Sequence, residues 1–253
     1  MTSEANKVPE FKALSYSVED KIARIVLKRP ERHNALDFDL CRELLTAFEQ
    51  VSADNDAHVV ILSGEGKSFC SGFDSESSPY LTPPDEGWTL ANVQTRLGDI
   101  EKLYKTVWNC PKPTIAQIHG ICIAAGCYLQ LLCDMSVAAD DAKLGHGLMK
   151  YHGGVSSMPL WQVLLGPRVA RYLLMSSRVI SGSEAATLGL VTMSVPKDAL
   201  DETVETLAKD CITGDLAGVR IGKESLNADL EMMGVGAMFR THSQLNAMLR
   251  FVF

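Results

Sequence analysis

Residues 114–135 read TIAQIHGICIAAGCYLQLLCDM. Thr114 to Ile118 is a short β-branched and apolar run that stops at His119-Gly120, which predicts a strand ending in a turn. From Ala125 to Met135 the apolar residues are almost continuous and leave only a narrow polar face. That pattern predicts a broadly buried helix. Small residues, Ala124-Ala125-Gly126, stand where this helix opens. The first N–H groups of a helix have no intrahelical partner, and small residues let a ligand come close to them. A strand that feeds a turn and then a helix is the building unit of an α/β fold.

The same design occurs upstream. Val59-Val60-Ile61-Leu62 is a short apolar strand that ends at Gly64 and Gly66, and Lys67-Ser68-Phe69-Cys70-Ser71-Gly72-Phe73-Asp74 follows as a second glycine-bearing turn. Two such turns could aim backbone N–H groups at one carbonyl oxygen and stabilise charge developing there. Glycine-rich strand-to-helix turns are also common where nothing is bound, so spacing alone leaves both readings open.

Working outward, Leu14 to Leu27 is strand-like and stops at Arg29-Pro30. Leu36, Leu40, Leu44, Leu45, Phe48 and Val51 recur at helical spacing. Asp99 to Asn109 predicts a helix broken by Pro111-Lys112-Pro113, and Ser136 to Ala139 a further strand. The segment from Ser75 to Gly87, with Pro79, Pro83 and Pro84, predicts a loop or lid. Helices are expected at Arg168–Met175 and Ser183–Leu188, a strand at Leu190–Val195, and mainly helix thereafter. The expected organisation is a core over residues 1–195, with a mobile polar tail through residue 12, and a helical region over 196–253.

The 253 residues carry a formal net charge of −7, with 46% hydrophobic and 22% charged residues. An acidic chain is a poor partner for nucleic acid or anionic lipid, and no apolar run reaches the roughly 18 residues of a membrane span. The seven cysteines are odd in number and form no CxxC pair or Cys/His cluster. They predict reduced thiols in a cytoplasmic protein and no metal site.

Read in order, Arg29-Pro30-Glu31-Arg32-His33-Asn34-Ala35-Leu36, Phe69 to Asp74, Pro111-Lys112-Pro113-Thr114-Ile115-Ala116 through Gly126-Cys127, Cys133-Asp134 and Gly189-Leu190-Val191 resemble the successive signatures of the crotonase (enoyl-CoA hydratase/isomerase) family. The resemblance implies an α/β fold, a spiral of ββα turns with a C-terminal helical trimerisation region, and a homotrimer or dimer of trimers. It implies an acyl-CoA substrate, no metal or redox cofactor, and an oxyanion hole made by the Phe73 and Ala125 N–H groups. It also implies that the loop from Arg32 to Ala35 borders the adenosine part of CoA and that Ser71 to Asp74 runs beside the pantetheine. Arg32 could then neutralise a phosphate, and Asp74 could instead cap a following helix.

The sequence departs from the family at its acids. Hydratases of this family use two glutamates for general acid/base work. Tyr128 stands at the first position, after Gly126-Cys127, and Leu148 at the second, after Gly145-His146-Gly147. Leucine transfers no proton, and a phenol, titrating near pH 10, is a poor base at neutrality. The pattern favours chemistry driven by enolate stabilisation, such as decarboxylation, hydrolysis or another lyase reaction. Candidate acid/base groups are Tyr128, His146 and His152, since imidazole titrates near neutrality. Two alternatives stay open: a conventional hydratase or isomerase with an acid supplied from the lid, Glu76 or Asp85, and a non-catalytic acyl-CoA-binding protein.

Overall fold

A computed structural model describes residues 10–147, 158–249 and 251. The strand-like stretch after Leu14 is a hairpin of β1 (Leu14–Glu19) and β2 (Ile22–Leu27). Its two-residue turn, Asp20-Lys21, has positive φ at both positions, the backbone that matches the twist of paired strands. β3 (Val59–Gly64), β4 (Thr114–Ile118), β6 (Met135–Ala139) and β9 (Met193–Val195) add in parallel to give the sheet order β1-β2-β3-β4-β6-β9. A second sheet joins β5 (Ile121–Ile123), β7 (Lys143–Gly145) and β8 (Val179–Ser181). Isolated bridges, Cys70 with Cys122 and Leu36 with Phe73, continue it through the first glycine turn. β4 with β5, and β6 with β7, thus each place one strand in each sheet before a helix follows, the repeat of a ββα spiral.

The helices follow from their apolar faces. α1 (Phe38–Ala53) buries Leu40, Leu44, Ala47, Phe48 and Val51, and Asp37 caps it by accepting from the Leu40 N–H. α2 (Leu90–Trp108) starts nine residues before the expected Asp99, because Thr89 and Asn92 form a capping box. α3 (Ala125–Leu132) ends before the expected Met135, which is taken into β6 opposite Ile115. α4 (Leu160–Met175) begins earlier than Arg168 and kinks at Gly166, φ 69°, just before Pro167. α5 (Gly182–Leu188), α6 (Leu200–Cys211), α7 (Leu216–Met232) and α8 (Val235–Leu249) complete the chain.

At the end of the expected tail, the Lys12 and Ala13 N–H groups donate to the Glu43 carboxylate. α6, the first helix of the expected 196–253 helical region, lies on β3, β4 and β6 and buries Leu200, Val204 and Ala208. α7 and α8 pack on each other. α8 packs on α2, and α7 is tied down by Lys223, whose Nζ donates to Asp134 Oδ2 at 2.6 Å and to Lys112 O at 3.0 Å. No helix among the described residues is long and apolar enough to cross a membrane.

Candidate active site

The two glycine turns are laddered to each other. Phe69 N–H donates to His119 O at 2.9 Å, Cys70 N–H to Ile121 O at 3.0 Å, and Ile123 N–H to Cys70 O at 3.1 Å. The contact tolerates no side chain at two glycines. A Cβ on Gly72 (φ +100°) would sit 2.8 Å from Ala124 Cβ and 3.2 Å from Ala125 N, and one on Gly126 would sit 2.2 Å from Cys70 O. The next residue, Phe73, has neighbours held on one side: Leu36 N–H donates to Gly72 O and Asp74 N–H to Leu36 O. Strand alternation turns the Phe73 N–H to the other side. Among the described residues, neither Phe73 N–H nor Ala125 N–H donates to any protein acceptor.

Ala124, the residue before α3, has φ 51° and ψ −126°. A non-glycine residue in this region is strained, and such strain persists only where its surroundings over-determine it. Here its N–H donates to Gly145 O at 2.9 Å and its carbonyl accepts from Tyr128 N–H at 3.1 Å. The strained residue thus directs the free Ala125 N–H at the helix start.

A belt of aromatic contacts extends from both turns. The Phe73 ring stacks on Tyr80 with centroids 5.1 Å apart. Tyr104 meets Tyr128 edge-on at 6.2 Å, and Tyr128 lies 5.6 Å from His146. Tyr128, one helical turn beyond Ala124, and His146, just after the Gly145 carbonyl, are both buried. Burial pulls the His146 imidazole down to about pH 4. At that value His146 is a neutral imidazole at pH 7. His152, with Leu148, lies outside the described residues.

Burial also pushes the Cys70 thiol up to about 12 and raises Cys122 well above its ordinary value, so neither supplies a thiolate nucleophile. Among the described residues no cluster of His, Cys, Asp and Glu is able to hold a metal ion.

The four residues expected beside CoA are joined through Arg29 in one hydrogen-bonded network. Asp74 does not cap a helix. Its carboxylate accepts from Arg29 and Arg32, both at 3.1 Å, and from the Glu76 N–H at 3.0 Å. Burial would raise this carboxyl, but the bonds from Arg32, the Glu76 N–H and Arg29 outweigh it and hold it near 2. Arg32 is also paired with Glu76 at 2.9 Å, so its charge is already met by two carboxylates. Ser71 N–H donates to His33 O at 3.0 Å, and the Ala35 carbonyl accepts from Arg29. The loop is further pinned by Asn34, whose amide bonds Arg29 N, Glu65 O and Ser68 O.

Glu76 and Asp85, the acids nominated on the lid, are exposed. Sequence reasoning missed a different set. Tyr80, Leu97, Ile100, Glu101, Tyr104, Phe239 and Ser243 line a cavity of about 10 Å³ beside the belt, and Tyr80 Oη donates to Asn246 Oδ1 of α8 at 2.8 Å. Val93, Leu97, Ile100 and Tyr104 share one helical face, a signal legible once α2 is extended to residue 90. Trp161 is a fully buried core residue, and the Arg96 guanidinium lies over the Trp88 ring, 5.2 Å from its centroid.

The chain resembles known proteins along nearly its whole length. The family model described as enoyl-CoA hydratase/isomerase matches residues 17–248. A crotonyl-CoA hydratase of Syntrophomonas wolfei is 30% identical over 251 residues, covering 92% of each chain. A hydroxycinnamoyl-CoA hydratase-lyase of Pseudomonas fluorescens is 28% identical over 225 residues, covering 88% of this chain and 80% of its own. The crystal structure of an enoyl-CoA hydratase from Mycobacterium smegmatis superposes with a TM-score of 0.86 at 31% identity, covering 95% of this chain and 86% of that one. With the ββα spiral and the paired glycine turns already in place, these matches show that the chain belongs to the enoyl-CoA hydratase/isomerase family.

Proposed function

We propose that this acyl-CoA enzyme holds the thioester oxygen between the Phe73 and Ala125 N–H groups and uses them to stabilise an enolate or oxyanion, in decarboxylase, hydrolase or other lyase chemistry rather than ordinary hydration. The observation that carries this reading is the pair of side-by-side N–H groups without protein acceptors. Donors fixed in that way act where charge develops and need no reorganisation. Tyr128 and Leu148 stand where the resemblance expects glutamates, and the buried Tyr128 and His146 on the Ala125 side are not carboxylates. For a malonyl-type thioester, loss of CO2 leaves the bonding electron pair as an enolate whose charge sits on the thioester oxygen. A proton then returns to Cα, with the Tyr128 hydroxyl as its proposed donor and His152 as a further candidate. Arg32, Ala35, Ser71 and Asp74 form the proposed CoA-side wall, with Asp74 acting by holding the Arg29 and Arg32 loop. No metal or redox cofactor takes part in this reading.

A second reading, hydration with a relocated acid, is favoured by one observation: Glu101 lines the small cavity beside Tyr104. Crotonyl-CoA hydration measured beside a malonyl- and methylmalonyl-CoA panel, with products read by mass spectrometry, separates the two. The first reading expects loss of CO2 or of an acyl fragment and negligible hydration. Normal hydration that disappears in Glu101→Gln would replace it by the second. Tyr128→Phe and His152→Ala should each lower turnover while leaving CoA affinity nearly unchanged.

The exposed apolar side chains of α7 and α8, among them Ile221, Leu226, Met232 and Met248, support assembly as a homotrimer or dimer of trimers, since contiguous exposed apolar surface marks an interface.

A further inference from the structure

We propose that Tyr104 is a specificity-determining residue that restricts the substrate to short acyl groups. The inference rests on the reading of Phe73 and Ala125 as the oxyanion pair. An acyl chain whose thioester oxygen sits there leaves the site through the aromatic belt. On the Phe73 side that belt is Phe73 stacked on Tyr80. On the Ala125 side it is Tyr128, flanked by His146 and, edge-on, by Tyr104. Tyr80 and Tyr104 both line the cavity that leads towards Phe239 of α8, and that cavity measures about 10 Å³. Such a volume is about one water probe, so it holds no methylene chain. Tyr80 and Tyr104 each belong to both the belt and the cavity wall, and of the two Tyr104 is the more deeply buried. It is almost fully buried, and Leu97 and Ile100 lie along the same face of α2.

Titration calorimetry of the full-length protein with CoA, acetyl-, butyryl-, hexanoyl- and decanoyl-CoA tests this. An open apolar pocket gains roughly fourfold in affinity per buried methylene. The wild type should gain nothing beyond butyryl-CoA, whereas Tyr104→Ala should gain several-fold from butyryl- to hexanoyl-CoA. Wild-type affinity that climbs through decanoyl-CoA, while acetyl-CoA still binds more tightly than CoA, would overturn the Tyr104 proposal alone. Equal affinity for CoA and acetyl-CoA would overturn it together with the oxyanion reading. The wild-type series needs no variant, and Tyr104→Leu provides a smaller opening if the alanine variant does not fold. A Tyr104→Leu series that matches the wild type would also overturn the proposal.

Discussion

At the scale of single residues, the site depends on backbone conformations that side-chain identity barely announces. Gly72 is legible in the sequence, because glycine is the residue that adopts φ +100° without strain. Ala124 is not, since nothing in an alanine signals φ 51°. Its replacement by glycine should keep the fold and raise stability by about 1 kcal/mol, read as a higher melting temperature. Ala124→Val should instead lower it, because a β-branched side chain has to fit beside Gly72. Gly72→Ala tests the contact itself: the new Cβ falls within 3.2 Å of Ala125 N, and turnover should drop by 10² or more, the range seen when one oxyanion donor is lost. His146 gives a pH signature. Its folded value, about 4, lies below the usual 6.5 of an unfolded histidine, so the unfolded chain binds the extra proton between these values. Stability should therefore fall as pH drops from about 6.5 to 4, by on the order of 3 kcal/mol. Denaturant melts at pH 7 and pH 4.5 should show that this slope shrinks in His146→Asn.

At the scale of elements, most of the architecture was readable and the boundaries were not. Strands such as Val59–Gly64 and Thr114–Ile118 announce themselves because both faces are covered and the run is continuously apolar. The start of α2 was hidden because Thr89, Asn92, Gln94, Thr95 and Arg96 dilute its apolar face and Pro83-Pro84 suggest a longer loop. That concealed the face on which Val93 and Leu97 continue the row of Ile100 and Tyr104, although Tyr104 itself lies inside the expected helix. The Tyr80–Asn246 bond joins positions far apart in sequence, so no local pattern reveals it. It ties α8 to the ring that stacks on Phe73. Tyr80→Phe and Asn246→Ala should each cost about 1 kcal/mol, and the double variant should cost less than their sum. Additive losses in chemical denaturation would show that the bond contributes nothing.

At the scale of the whole molecule, the resemblance carried information that composition did not. A net charge of −7 and 46% hydrophobic residues fit many families, whereas the ordered motifs implied the spiral that the fold displays. The apolar surface of α7 and α8 has no such local explanation within one protomer. Analytical ultracentrifugation should give three or six times the 27.6 kDa chain mass, and Ile221→Glu with Leu226→Glu should shift it towards the monomer. A monomeric wild type would contradict the assembly reading. The central claim concerns two N–H groups, and a crystal structure with bound acetoacetyl-CoA tests it most directly. The thioester oxygen is predicted to lie about 2.7–3.1 Å from both Phe73 N and Ala125 N. A thioester oxygen bound elsewhere, with both N–H groups facing water, would contradict it.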